Sequence, residues 1–229
     1  MVTGSDAALE ALGRFAVRYV KPGQTIGLGT GHAASAFIRA LGESRVKVRG
    51  VPTSNASAEL GRECGIEIVT LADVEQLDAD FDGADEVDPR LNLVKGFGGA
   101  LVREKIVAAA SKKFIVLVGP EKLYPRLGAR KRLPVEVVPF GCAFVTRAVA
   151  RLGMKASPRR NGDGSEFITD NGNPILDCAV RDIRNPARLE RDLLAIPGVV
   201  GTGLFVGMAS MVLVASESGK PPRILKPKA

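Results

Sequence analysis

One histidine, three cysteines and no tryptophan stand among the 229 residues, and these shortages narrow the chemistry before any motif is read. His32 alone leaves no multi-histidine metal site and at most one Cys/His nucleophile pair. Cys64, Cys142 and Cys178 are odd in number, widely spaced and form no C-x-x-C pair. That pattern predicts buried thiols rather than a disulfide framework or a zinc site. No apolar run reaches the roughly 18 residues needed to cross a bilayer, and residues 1–12 (MVTGSDAALEAL) lack the basic-then-apolar pattern of a secretory leader. A cytoplasmic protein without a membrane partner is expected, and acid–base chemistry falls to carboxylates and lysines.

What is present reads as an ordinary globular chain: 45% hydrophobic, 25% charged, with 26 Gly and 14 Pro. The length suits one large domain or two unequal ones, and two are expected. Thirty-two Lys and Arg against 25 Asp and Glu give a formal charge of +7, which suits a phosphorylated ligand or, less specifically, nucleic acid. The densest basic stretch, 122–132 (KLYPRLGARKR), has one Tyr and no interleaved aromatics. It reads as a solvated linker or face rather than a nucleic-acid surface, so no nucleic-acid partner is expected.

Leu9, Leu12, Phe15, Ala16 and Tyr19 recur at three- and four-residue steps and predict a first helix, ended by Pro22-Gly23. A strand near 25–28, the turn Gly29-Thr30-Gly31 and a helix over 32–41 follow. The theme repeats at 46–51 with 56–64, at 66–70 with 72–77, and in a helix over 100–110 that leads into a strand at 114–118. Such alternation predicts an α/β fold with a Rossmann-like, mostly parallel sheet wrapped by helices. Beyond residue 132 the rhythm changes to a strand at 135–138, a helix over 142–152 and strands near 154–157 and 166–169, continued at 175–180. A helix over 186–195 and a strand over 199–206 complete a β-α-β-β-α-β order, the ferredoxin-like α+β unit. Residues 132–206 are thus expected to form a smaller domain inserted before the C-terminal strands. Residues 1–131 and 207–229 form the catalytic domain, whose sheet the tail near 211–214 and 224–225 rejoins.

Three stretches carry candidate chemistry. In Gly27-Leu28-Gly29-Thr30-Gly31-His32 the glycines let backbone approach a ligand, and the following helix points free N–H groups at an anion. The same turn is equally explained by steric need, and it is neither a Walker loop nor a full dinucleotide fingerprint. Residues 80–88 (DFDGADEVD) place five acids in nine positions. A calcium loop is excluded because Pro89 stands where the closing Glu is needed, which leaves a solvated acidic turn or a functional one. In 92–106 (NLVKGFGGALVREKI) Lys95 precedes a glycine-rich turn. Ala100, Glu104 and Ala108 then share one helical stripe whose small residues leave space for a ligand. The plainer alternatives are a salt-bridged core lysine and a surface glutamate.

The strings DGADEVD at 82–88 and VKGFGGALVREKIVA at 94–108 closely resemble the ribose-5-phosphate isomerase A pattern, DGADE followed by KGGGAAL-xREK. Further similar strings are GLGTG at 27–31, VPTSNASAELGRECGI at 51–66, LPVEVVPF at 133–140, TDNGNPILD at 169–177 and IPGVVGTGLF at 196–205. The resemblance runs in order along nearly the whole chain. It implies interconversion of ribose 5-phosphate and ribulose 5-phosphate through an enediolate, with no metal and no cofactor, by a homodimer or higher homo-oligomer. By position it puts the general base on Glu104, the paired aspartates on Asp82 and Asp85, the active-site lysine on Lys95 and a further substrate lysine on Lys122. Substrate contacts are expected at Thr30, Gly31, His32, Ala33, Asp82, Gly83, Ala84, Asp85, Lys95, Gly96, Phe97, Gly98 and Lys122.

Departures from the pattern lie in the anion sites. His32-Ala33 replaces the usual Ser-Thr after Gly-Thr-Gly, and Phe97 replaces a glycine. They motivate a different reading, a sugar-phosphate sensor with little turnover on the same scaffold, against which the retained Glu104 weighs.

Overall fold

A computed structural model describes residues 4–216 and 220–227. The six α-helices of the described residues are α1 (Gly4–Ala16), α2 (His32–Ser44), α3 (Asn55–Glu63), α4 (Leu101–Ala109), α5 (Cys142–Arg151) and α6 (Pro186–Leu194). The strands are β1 (Thr25–Leu28), β2 (Arg49–Pro52), β3 (Glu67–Ile68), β4 (Ala79–Gly83), β5 (Glu86–Val87), β6 (Leu93–Val94) and β7 (Phe114–Val118). They continue with β8 (Leu133–Val137), β9 (Ala156–Pro158), β10 (Ile175–Cys178), β11 (Val199–Thr202), β12 (Leu204–Phe205), β13 (Met211–Val214) and β14 (Arg223–Leu225). The chain divides into two compact units, one from the described residues of 1–84, 103–123 and 207–229, the other from 85–102 and 124–206.

The first unit holds a seven-stranded sheet in the order β14-β13-β7-β4-β1-β2-β3. Every pairing is parallel except the edge strand β14. Continuous burial follows from this architecture: all five residues of β7 and all four of β1 are buried, as strands covered on both faces require. Phe37 of α2 stacks on Phe81 of β4 at 4.3 Å between centroids, both fully buried; such pairs contribute about 0.5–1.5 kcal/mol beyond their buried area. The order outward from β1 reverses between β1 and β4, and in open α/β sheets ligands settle at the strand carboxyl ends beside that reversal.

The second unit carries a four-stranded antiparallel sheet, β11-β8-β10-β9. Counted along the unit this is 4-1-3-2, with α5 and α6 as the crossovers, the expected ferredoxin-like order. Val135, Val137, Leu176 and Cys178 pack with Val145, Val149 and Leu193 in its core. A three-stranded sheet, β12-β6-β5, belongs to the same unit.

Three expectations need correction. Residues 166–169 form no strand, only the isolated bridges Arg160↔Glu166 and Ile168↔Pro174. Thr169, Asn171 and Asn173 instead donate side-chain hydrogen bonds to Glu136 Oε1 at 2.9–3.1 Å, so a side-chain hub replaces the ladder. The expected helix over 72–77 shrinks to one 3₁₀ turn at Leu71–Asp73. The boundary expected at 131/132 also differs from the compact units, because β6 pairs with both β5 and β12 and draws 85–102 into the second unit.

Candidate active site

Within the first unit, the carboxyl ends of β1, β4 and β7 present Thr30, Gly83 and the turn ending in Lys122. Asp82 is fully buried on β4, on the face opposite Phe81. Its Oδ1 accepts the backbone N–H of Thr30 at 2.9 Å and that of Gly83 at 2.7 Å. Gly29 permits this, because a Cβ there would overlap the Asp82 carboxylate. The Thr30 hydroxyl donates to Ser54 Oγ at 2.8 Å and lies 2.7 Å from the Thr53 hydroxyl. Ser54 is itself the N-cap of α3. The hydroxyls of Thr53 and Ser54 lie inside a string noted for its resemblance alone; their proximity to Thr30 required the β1–β2 pairing, which no spacing reveals.

Gly31 has φ +102°, a left-handed conformation suited to glycine, and α2 begins at His32 as expected. Ala33 lies against Gly83. His32, by contrast, lines a cavity of about 450 Å³ with Asp6, Glu10, Ser35 and Arg39, on the side of α2 that faces α1. The structure therefore brings Thr30, Ala33, Asp82 and Gly83 together.

Glu104 stands in the first turn of α4 and is only 4% exposed, with Ala108 buried on the same stripe. It is not the surface glutamate of the plainer reading. One turn on, Val107 packs at Gly27 beside the buried Asp80.

The acidic stretch is likewise not solvated. Glu86, fully buried, accepts the N–H groups of Gly128 and Arg130, each at 2.6 Å. Asp88 accepts the N–H groups of Arg90 and Asn92 and closes the turn between β5 and β6.

In the second unit, Lys95 is 2% exposed and its Nζ lies 5.6 Å from the Phe205 ring centroid. The following turn is tightly held. Gly96 and Gly99 have φ of +95° and +91°. The Phe97 N–H donates to Asp85 Oδ2 at 2.9 Å, and the Gly99 N–H to Gly96 O at 3.0 Å. Arg159 Nη1 donates to the carbonyls of Gly96 and Phe97 at 2.9 and 3.1 Å. Gly98 is exposed, and its N–H has no acceptor among the described residues. The Phe97 ring stands under the guanidinium groups of Arg130 and Arg132, at 5.1 and 4.9 Å. Two cations of the basic stretch are thus spent on packing, and Arg126 is spent on Asp182.

Among the described residues no group of three or more His, Cys, Asp or Glu is arranged to hold a metal ion, and no helix is long and apolar enough to cross a membrane. Burial pushes the Cys178 thiol up to about 12, which leaves it inert as a nucleophile.

A family model described as ribose 5-phosphate isomerase A (phosphoriboisomerase A) matches residues 49–219. The ribose-5-phosphate isomerase A of Roseiflexus sp. (strain RS-1) is 47% identical over 209 residues, 89% of this chain and 90% of that protein. The solved ribose 5-phosphate isomerase A of Methanocaldococcus jannaschii is 39% identical with TM-score 0.90, covering 96% of this chain and 98% of its own. A solved D-ribose-5-phosphate isomerase in complex with phospho-erythronic acid is 35% identical with TM-score 0.92, covering 97% and 99% of the two chains.

Proposed function

The chain belongs to the ribose 5-phosphate isomerase A family, and from that premise we propose that it interconverts D-ribose 5-phosphate and D-ribulose 5-phosphate. The observation that carries this reading is the buried Asp82 carboxylate. It is fixed by two backbone donors at the sheet's reversal point, beside the glycine turn that ends β1.

Glu104 takes the proton from C-2 of the open aldose and returns it to C-1. A single carboxylate oxygen serves both carbons, and Glu104 is buried away from competing water. Negative charge then grows on the enediolate oxygens, where the Lys95 ammonium and the open Gly98 N–H supply stabilisation that water would give less well. Asp82 moves protons between hydroxyl and carbonyl oxygens and assists ring opening. Asp85 keeps the 95–98 turn in place through the Phe97 N–H. The phosphate is held by Thr30, Gly31, Ala33 and the N-terminus of α2, with Lys122 adding charge. His32, the first residue of α2, contributes its backbone there. No step uses a metal or an organic cofactor. The physiological form is a cytoplasmic homodimer or larger homo-oligomer acting on a small sugar phosphate.

A coupled assay of ribulose 5-phosphate formation from ribose 5-phosphate, with and without exhaustive EDTA treatment, tests the reading. Equal turnover in both arms is expected. Loss of activity with EDTA contradicts the metal-free mechanism. Tight binding of ribose 5-phosphate without turnover favours the sensor reading, which the His32, Ala33 and Phe97 departures motivate.

A further inference from the structure

We propose that Arg159 is a positioning residue for the isomerase reaction: by gripping the carbonyls of Gly96 and Phe97 it fixes the Gly98 N–H as a donor to the enediolate oxygen. The inference rests on the isomerase reading above.

The geometry begins with the guanidinium, which is buried, with the side chain 6% exposed. Its Nε and Nη2 donate to the two oxygens of Asp177 at 3.1 and 2.7 Å, the forked pairing that only arginine makes. Its Nη1 donates to Gly96 O and Phe97 O. Asp177 is anchored in turn on β10, between β8 and β9, and is paired with Arg132 at 2.9 Å. The grip on the turn is therefore referred to the middle of a sheet.

Peptide planarity carries the effect onward. All described peptide bonds are trans, so the carbonyl of one residue and the N–H of the next point in opposite directions. In the 96–97 peptide, Arg159 holds the oxygen and Asp85 holds the N–H, so the plane is pinned at both ends. In the 97–98 peptide, Arg159 holds the oxygen, which turns the Gly98 N–H away from the guanidinium to the exposed side of the turn. Phe167 closes the other side: it lies 5.5 Å from the guanidinium and packs so tightly on Gly99 that any Cβ there would overlap its ring. A buried ion pair is a poor device for stability alone. One that also donates to two carbonyls of a single turn is suited to orientation.

The test is kinetic and uses the full chain with Arg159→Lys and Arg159→Gln. A lysine keeps the charge beside Asp177 but cannot bind Asp177 and two carbonyls in one plane. We expect Arg159→Lys to lower kcat roughly tenfold or more, because small misplacements of preorganised groups have effects of that order. KM should stay within about threefold, since the phosphate contacts are elsewhere. Inhibition by phospho-erythronic acid should weaken in step with kcat/KM, while inhibition by inorganic phosphate should not change. Hydrogen–deuterium exchange of the 94–101 segment should rise. Should Arg159→Gln unfold, Arg159→Lys carries the test. Retention of kcat within twofold by a folded Arg159→Lys overturns the proposal, as does an equal loss of affinity for phosphate and phospho-erythronic acid. Absence of wild-type turnover on ribose 5-phosphate would fault the isomerase reading, whereas an active wild type with an unimpaired Arg159→Lys faults the Arg159 assignment alone.

Discussion

Asp82 and Asp177 are both carboxylates set into sheets, yet their neighbours give them different tasks. Asp82 accepts the backbone N–H groups of Thr30 and Gly83, which hold its position. Asp177 faces two guanidinium groups. Burial disfavours its charged form, but the hydrogen bonds and charges of Arg159 and Arg132 outweigh that and keep its carboxyl below the usual carboxylate range. A folded-state pKa lowered in this way stabilises the protein above the unfolded value of about 3.9. The contribution is lost as pH falls through the folded value. Wild type should therefore exceed Asp177→Asn in thermal stability at pH 7, and the margin should narrow as pH falls below the unfolded value; a margin that is constant or wider in acid would contradict the assignment. At this scale the strings around Asp82, Lys95 and Glu104 were legible because the residues are close in sequence. Arg159 was not, since it sits in a polar run (RRNGDGSE) that reads as solvent-facing and meets its partners 63 and 62 positions away.

The strand–turn–helix elements of the first sheet were legible because parallel strands buried on both faces are continuous apolar runs with glycine turns at their ends. The 3.6 period of α4 correctly put Glu104 and Ala108 on one stripe. Shorter elements were not: β5, β6 and β12 are two-residue strands whose pairing no periodicity signals. The strand expected at 166–169 gives way to the Glu136 hub, which holds the following turn through side chains. The turn between β6 and α4 gives a prediction of its own. Gly99→Ala must adopt φ near +91° and displace Phe167, which together should cost about 2–4 kcal/mol. That corresponds to a Tm lower by roughly 5–15 °C for a chain of this size. Gly162→Ala, with nothing within 4 Å of the added Cβ, is the control and should differ little. Equal Tm values for the two variants would show that the turn yields freely and is no rigid platform.

Across the whole molecule, β7 and β13 are hydrogen-bonded neighbours although β8 to β12 lie between them in sequence. The return of the tail to the first sheet was legible from its apolar runs, and the 4-1-3-2 sheet from its β-α-β-β-α-β order. Assignment of 85–102 to the second unit was not, because it depends on β6 pairing with β12 far along the chain. The excess of basic residues, ambiguous as a number, resolves in part into contacts: Arg126, Arg130 and Arg132 serve Asp182, Phe97 and Asp177. What remains is the central claim that a buried carboxylate on α4 performs the proton transfer. The most direct measurement is steady-state turnover of ribose 5-phosphate by Glu104→Gln, with Tm and sugar-phosphate binding recorded on the same preparation. The amide preserves shape but cannot accept the proton, so kcat should fall by ~10² or more, the ordinary worth of a general base, while fold and binding persist. A folded Glu104→Gln with kcat within a few-fold of wild type would contradict the account.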